Sequence, residues 1–202
     1  ASFAVSDQDK QNKWVDSVFN NLTLDQKLGQ LFMVAAYSNR DEKHYTKIDS
    51  LVKYYHLGGL IFFQGGPKRQ AILTNRYQAL ARVPLLIGID GEWGLSMRLD
   101  STINFPRQMT LGATRDPNLA YKMGKEIANH CKRLGIHINF APVADVNNNP
   151  DNPVIGLRSF GETKEEATEF AKAYMKGMQR NGIIACGKHF PGHGDTDADS
   201  HH

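Results

Sequence analysis

Five short apolar runs recur along the chain, separated by longer segments in which apolar residues repeat every three or four positions. Runs of this length predict buried strands, and the segments between them predict amphipathic helices. The predicted strands are residues 32–36, 57–63, 84–90, 136–146 and 182–187. Alternation of apolar strands with helices is typical of a parallel sheet with helical crossovers. The sequence therefore restricts the fold to the α/β class.

Two of the amphipathic segments carry helix signals of their own. Residues 116–134 begin with Asp116 at a predicted N-cap and Pro117 at the first helical position, and Gly135 follows the predicted end. In residues 164–180 one helical face is apolar. That face consists of Ala167, Phe170, Ala171, Tyr174, Met175 and Met178. The buried stripe predicted for residues 116–134 is Leu119, Met123, Ile127, Cys131 and Leu134, and we expect both faces to lie in the core.

Two architectures, an open doubly wound sheet and a (β/α)8 TIM barrel, are compatible with this alternation. No G-x-G-x-x-G follows the first predicted strand, which argues against a dinucleotide-binding fold. Polar side chains instead follow several strands: Asp90 the third, Asp145 and Arg158 the fourth, Lys188 and His189 the fifth. A site built from many strand ends is typical of the barrel. Because five strands take up most of the 202 residues, we expect the chain to be the N-terminal portion of one barrel domain, truncated after about five β/α units.

Composition excludes several classes of protein. Hydrophobic residues make up 41% and charged residues 22% of the chain, which is ordinary for a soluble domain. The 24 basic residues are mixed with 21 acidic ones, so we expect no nucleic-acid partner. No run of about 18 apolar residues is present, so no membrane span is expected. We also expect a monomer without a cofactor.

The two cysteines, Cys131 and Cys186, lie in apolar settings and are predicted to be buried free thiols. The chain begins at Ala1 without a methionine or a signal peptide, which suits a mature or trimmed start. A periplasmic or secreted location is preferred over the cytoplasm on this basis.

Ionisable side chains are concentrated in residues 188–202. Four histidines and three aspartates there could bind zinc: His189, His193, His201, His202, Asp195, Asp197 and Asp199. Against a metal site, no H-x-x-x-H or H-E-x-x-H pair lies on a helix. The alternative is acid/base chemistry, because an extended Asp199-Ser200-His201 segment points carboxylate and imidazole the same way. A neighbouring carboxylate fixes the imidazole tautomer and raises its basicity.

The segment from Asp90 to Arg98 has the chemistry of a sugar site. Its carboxylate and guanidinium groups can bind hydroxyls by charge-assisted hydrogen bonds, and Trp93 can pack on a sugar ring. The alternative interpretation is that Asp90 and Arg98 pair only with each other while Trp93 fills the core.

Residues Lys188-His189-Phe190-Pro191-Gly192-His193-Gly194, followed by Asp199-Ser200-His201, resemble the signature of glycoside hydrolase family 3, and within it the β-N-acetylglucosaminidase branch. The resemblance extends over Leu24–Met33, Leu57–Phe63, Asp90–Arg98, Phe140–Val146 and Asn152–Gly161. One departure is Trp93-Gly94, where this branch often has two glycines. The larger side chain is expected to reshape the part of the site that holds the leaving group.

The resemblance implies a role for each matching residue. Asp90 would hold hydroxyls of the terminal sugar, Arg98 would line the same subsite, and Asp199 with His201 would be the acid/base dyad. The remaining sugar contacts would come from Arg158, Lys188 and His189. The family nucleophile is an aspartate further along, beyond residue 202, so this chain alone is expected to be inactive.

The activity that the resemblance implies is exo-acting, retaining hydrolysis of terminal β-linked N-acetylglucosamine, for example from peptidoglycan fragments. A glycoside phosphorylase is also compatible with these residues, because a histidine repels phosphate less than a carboxylate does. The same residues leave open β-glucosidase-type specificity, a metal-dependent hydrolase and a non-catalytic sugar-binding module.

Overall fold

A single parallel sheet organises the molecule, as seen in a computed structural model that describes residues 7–199. Its strands are β1 (Met33–Ala36), β2 (Gly59–Phe62), β3 (Leu86–Ile89), β4 (Ile138–Asn139) and β5 (Ile184–Ala185). Strands that are neighbours in sequence are neighbours in the sheet, in the order β1-β2-β3-β4-β5, and every pair is parallel. A doubly wound sheet reverses its strand order at a switch point, whereas a barrel requires consecutive order. The barrel-type α/β fold is therefore confirmed.

Helices connect the strands. They are α1 (Asp7–Asn20), α2 (Leu24–Gly29), α3 (Glu42–Tyr55), α4 (Pro67–Leu80), α5 (Gln108–Ala113), α6 (Pro117–Arg133) and α7 (Lys164–Gln179). Two short 3₁₀ helices, Leu95–Met97 and Gly156–Arg158, follow β3 and β4. None of the helices between residues 7 and 199 combines the length and the apolar character needed to cross a bilayer.

Helix α6 begins and ends where its sequence signals predict. The Asp116 carboxylate accepts a hydrogen bond from the Asn118 N–H at 3.0 Å, and Pro117 is the first helical residue. Gly135, with φ of 67°, adopts the left-handed conformation after the helix. The predicted helix over residues 164–180 is also present, and Thr163 caps it by accepting from the Glu166 N–H at 3.3 Å.

Helices α6 and α7 pack closely because each has a glycine at the contact. A Cβ on Gly124 would lie 2.3 Å from the Tyr174 carbonyl oxygen, and one on Gly177 would lie 2.2 Å from the Tyr121 carbonyl oxygen. Side chains from both helices, including Ile127 of α6, are fully buried against the sheet. The apolar faces predicted for these helices therefore form much of the core.

Two of the predicted strands are much shorter in the structure. The run 136–146 contains a strand only at Ile138–Asn139, and the run 182–187 only at Ile184–Ala185. Pro142 cannot donate to a sheet ladder, and beyond it the pairing is reduced to an isolated bridge between Val143 and Lys188. Ala141 and Val143 lie after the strand but are fully buried. The apolar character of this run therefore reflects a buried loop as well as a strand.

The cysteine prediction is correct for one residue and wrong for the other. Cys131 is fully buried on α6, where burial raises the pKa of its thiol to about 12. Cys186 is only partly buried, because β5 is an edge strand of the described sheet. Both are free thiols.

Candidate active site

Asp90 is the first residue after β3, and its carboxylate contacts two cations. Its Oδ2 lies 2.5 Å from Nη2 of Arg98, whose Nε also donates to the Asp90 carbonyl oxygen at 3.1 Å. Its Oδ1 lies 2.6 Å from Nζ of Lys188, which follows β5. Asp90 and Arg98 do pair with each other, but Lys188 joins them from 98 positions away in sequence.

Glu92 extends this arrangement into a charged cluster. Its fully buried carboxylate accepts from Arg158 at two points, Nη2 to Oε1 at 2.8 Å and Nε to Oε2 at 3.0 Å. Lys188 Nζ also lies 2.8 Å from Glu92 Oε1. The loops after β3, β4 and β5 thus meet in one group, defined here as the charged cluster: Asp90, Glu92, Arg98, Arg158 and Lys188.

The ionisation of the charged cluster is set by these pairs. Burial opposes the charge on Asp90, but Lys188 and Arg98 outweigh it and hold the pKa of Asp90 below its usual value. Burial likewise opposes the charge on Arg158, but the Glu92 carboxylate outweighs it and raises the pKa of Arg158. Buried charges are tolerated when paired and hydrogen-bonded, and this cluster meets that condition.

Two buried amide side chains hold the loops that carry the charged cluster. Asn139, the last residue of β4, accepts from the Gly91 N–H at 2.8 Å and donates to the Gly91 carbonyl oxygen at 3.0 Å. Gln108 at the start of α5 donates to the carbonyl oxygens of Val143 at 2.9 Å and Arg158 at 2.6 Å. Each amide replaces a backbone partner that the short strands do not provide.

His189 is held next to the charged cluster by Asp145. The Asp145 Oδ2 accepts from the His189 backbone N–H at 3.0 Å and lies 2.6 Å from His189 Nδ1. Its Oδ1 accepts from the His193 backbone N–H at 2.5 Å. The Asp145 side chain is fully buried, whereas the His189 side chain is 36% exposed. His189 is therefore the more accessible member of the pair.

The loop after His189 packs on the loop after β4. The Asn152 side chain donates to the His193 carbonyl oxygen at 2.7 Å, and Asn149 donates to that of Thr196 at 3.2 Å. A Cβ on Gly194 would lie 1.7 Å from the Val146 carbonyl oxygen, so only glycine allows this approach. The polar loop over residues 147–153 thus supports the described part of the 192–202 loop.

A cavity of about 410 Å³ opens beside His189. Its walls include Asp145, Asn148, Gly192 and Asp195. A larger groove of about 710 Å³ lies between α6 and α7 and is lined by residues such as Tyr121 and Lys172. That groove contains none of the predicted site residues, whereas the smaller cavity includes one of them, His189, and is the better candidate for a ligand.

The structure joins four of the residues predicted for the site by ion pairs: Asp90, Arg98, Lys188 and, through Glu92, Arg158. A fifth, His189, follows Lys188 in sequence and pairs with Asp145. Asp199 is half-buried near the end of the described loop. His201, His202 and Ser200 lie outside the described residues. Among residues 7–199 no three His, Cys, Asp or Glu side chains are arranged to hold a metal ion.

Trp93 occupies a different environment from the charged cluster. Its half-buried ring packs against the core, and the Arg107 guanidinium carbon lies 3.7 Å from the ring centroid. The next residue, Gly94, has φ of 90°, and a Cβ there would lie 2.6 Å from the Phe105 ring. Trp93 therefore fills the core edge, which was one of the two interpretations of its sequence.

Two residues at the centre of the site, Glu92 and Asp145, had no predicted role, although Asp145 was noted among the polar side chains that follow the strands. The sequence does place both residues where a site is expected. Glu92 lies two residues after Asp90 at a strand end, and Asp145 lies near the end of an apolar run. What the sequence did not reveal is that both carboxylates are completely buried and must have partners.

The sheet is parallel and of the barrel type, and its charged residues lie at the strand carboxyl ends, where barrel enzymes carry their active sites. Residues 23–202 match the glycosyl hydrolase family 3 N-terminal domain. The chain belongs to glycoside hydrolase family 3.

Similar proteins support this membership. The chain is 38% identical over 168 residues to β-hexosaminidase A of Pseudoalteromonas piscicida, a match that covers 77% of this chain and 28% of that protein. A family 3 β-N-acetylglucosaminidase from Paenibacillus sp. str. FPU-7 superposes with a TM-score of 0.80 at 41% identity, covering 90% of this chain and 35% of that structure. The β-glucoside phosphorylase BglX superposes with a TM-score of 0.89 at 28% identity, covering 98% and 35%. The chain thus spans about a third of these proteins.

Proposed function

We propose that this chain provides the sugar-binding part of an exo-acting, retaining β-N-acetylglucosaminidase. The observation that carries the proposal is the charged cluster, in which Asp90, Arg98, Arg158 and Lys188 converge from loops after three successive strands. Carboxylates and cations at such positions suit the hydroxyl groups of a sugar, each of which both donates and accepts hydrogen bonds. Terminal N-acetylglucosamine on peptidoglycan fragments is the proposed substrate.

Asp199 and His201 are the proposed acid/base dyad. Asp199 would orient the imidazole, and His201 would donate a proton to the departing glycosidic oxygen. In the second half-reaction the neutral ring would accept a proton from the attacking water. A histidine needs little adjustment for this task, since its reference pKa is about 6.5.

The proposed nucleophile is an aspartate beyond residue 202, within a barrel of which residues 1–202 form the N-terminal portion. Two observations support a longer barrel. The chain spans about a third of β-hexosaminidase A and of the Paenibacillus enzyme, and the apolar side chains of Leu31, Phe32 and Ile184 are exposed beside the two edge strands of the described sheet. Further β/α units would pair those edges and cover those side chains.

The test uses the full-length protein that contains this chain and a series of aryl N-acetyl-β-glucosaminides with graded leaving groups. His201→Ala should lower kcat for poor leaving groups by roughly 10²–10⁴-fold but hardly affect activated phenols, which depart without protonation. Asp199→Ala should follow the same trend more weakly. The same slope in wild type and His201→Ala would contradict the acid role.

Chelator treatment distinguishes a metal-dependent hydrolase from the dyad mechanism. Loss of a metal ligand should reduce turnover of every substrate in the series, and added zinc should partly restore it. Full activity in the presence of a chelator supports the dyad.

A glycoside phosphorylase is the second candidate, and it is favoured by the likeness to BglX over 98% of this chain. An uncharged histidine near the reacting carbon would allow phosphate to compete with water. Replacing the buffer with phosphate and detecting a sugar phosphate by ³¹P NMR decides between the two candidates.

A further inference from the structure

Asp145 contacts two histidines but has no role in the proposed function. Its side chain is fully buried, and its two oxygens face donors from His189 and His193. The chain around it is held as well, since the Ser159 hydroxyl donates to the Asp145 carbonyl oxygen at 2.6 Å. The carboxylate therefore has little freedom to choose other partners.

The contact between Asp145 and the His189 ring determines where the ring proton lies. An ionised carboxylate can only accept hydrogen bonds, so the Nδ1 at 2.6 Å must carry the proton. In a neutral imidazole the other nitrogen, Nε2, then keeps its lone pair and acts as an acceptor. The His189 side chain is 36% exposed and lines the 410 Å³ cavity, so the ring is within reach of a ligand there.

The charged cluster is not part of the cavity wall, but His189 directly follows Lys188 in sequence, so a ligand that extends from the cluster into the cavity would meet this acceptor. Arg98, Arg158 and Lys188 are donors only. All four carboxylate oxygens of Asp90 and Glu92 already accept from these cations at 2.5–3.0 Å. Each of these oxygens is thus already engaged by a cation, and Nε2 of His189 adds an acceptor that lies outside the ion pairs.

We propose that Asp145 is a positioning residue that fixes His189 with its proton on Nδ1 and leaves Nε2 as the hydrogen-bond acceptor for a sugar hydroxyl. Through its second oxygen it also anchors the His193 backbone, where the loop to Asp199 begins. This inference rests on the proposed function for the identity of the ligand, but the tautomer itself follows from the contact alone.

The direct test is ¹⁵N NMR of the histidine rings in the full-length protein that contains this chain. The spectrum is recorded at about pH 8, more than one unit above the reference histidine pKa of about 6.5, and His189→Gln assigns the signal. We expect His189 to show a protonated Nδ1 and an unprotonated Nε2. A bare Nδ1, or protons on both nitrogens, overturns the proposal.

A variant at position 145 tests whether Asp145 determines the tautomer of His189. Asp145→Ala removes the acceptor, so the protonated Nδ1 form should no longer dominate at His189. Asp195→Asn is the matched control, because it removes a carboxylate from the same cavity wall without touching the ring, and the tautomer should not change. An unchanged tautomer in Asp145→Ala overturns the proposal. If Asp145→Ala does not fold, the wild-type spectrum still decides.

Addition of N-acetylglucosamine separates this inference from the proposed function. If both are right, the Nε2 signal moves on titration, and Asp145→Ala weakens binding by roughly 2- to 10-fold, the value of one hydrogen bond. If the proposed ligand is wrong, the sugar changes nothing but the tautomer stays as stated. If the sugar binds while the Nε2 signal stays unmoved, the acceptor role is overturned.

Discussion

Arg158 and Glu92, 66 positions apart, form a two-point ion pair with distances of 2.8 and 3.0 Å. The pair joins the loop after β4 to the loop after β3, and the Glu92 carboxylate in this pair is completely buried. Because Lys188 shares the same carboxylate at 2.8 Å, the loop after β5 is tied in too. The strand carboxyl ends are therefore held together by charge as well as by the sheet.

Glu92→Gln should lower stability, because it leaves two partly buried cations without their shared anion. The side chain keeps its size and can still accept hydrogen bonds, so we expect a loss of about 1–3 kcal/mol in the free energy of unfolding. Urea denaturation measures it. Glu165→Gln, at an exposed carboxylate on α7, is the control and should stay within about 0.5 kcal/mol of wild type. Equal effects of the two changes would contradict the structural importance of the cluster.

Arg158→Lys should weaken the site although the charge is kept. Lysine cannot reproduce the two parallel hydrogen bonds that the guanidinium makes with Glu92. In the full-length protein we expect kcat/KM for an aryl N-acetyl-β-glucosaminide to fall roughly 10- to 100-fold. Arg180→Lys, on the exposed end of α7, should have wild-type kinetics. Wild-type kinetics in Arg158→Lys as well would show that the two-point contact is dispensable.

Gly194→Ala should displace the loop after His189. The added Cβ would lie 1.7 Å from the Val146 carbonyl oxygen, so the loop must move away from the backbone on which it packs. Amide hydrogen exchange of residues 192–199 should become faster. Gly187→Ala is the matched control, because its Cβ would meet only the Met175 sulfur at an ordinary 3.5 Å. Unchanged exchange in Gly194→Ala would mean that the loop does not depend on this approach.

The acid dependence of stability should include a contribution from Asp90. Its pKa is held below the usual value despite burial, since Lys188 and Arg98 favour the charged form. Its stabilising effect is therefore complete above the unfolded-state pKa of about 3.9 and is lost as pH falls through the lower native pKa. Asp90→Asn should be less stable than wild type at neutral pH, and the difference should shrink below about pH 4.

Urea unfolding at stepped pH measures this convergence. Asp151→Asn, in the exposed part of the 147–153 loop, provides the comparison and should give a curve parallel to wild type. If the difference in unfolding free energy between Asp90→Asn and wild type stayed constant below about pH 4, ionisation of Asp90 would not contribute to stability.

The sequence was sufficient to predict features that depend on interactions between residues close together in the chain. Helix α6 starts at Pro117 behind its Asp116 cap because both act within the first helical turn. The consecutive parallel strands were also foreseeable, since apolar runs alternating with amphipathic helices leave few other arrangements. The grouping of Asp90 with Lys188 followed from the common direction of the strands.

Tertiary structure alone decided the strand lengths and the partners of the buried charges. Strand β4 is limited to Ile138–Asn139 although the apolar run continues, and Pro142, three residues beyond its end, has no N–H to donate to a ladder. Glu92 and Asp145 look like ordinary polar residues in the sequence, but the fold buries both carboxylates completely. A buried carboxylate must be paired, and the partners of these two lie 44 to 96 positions away, where no local pattern can identify them.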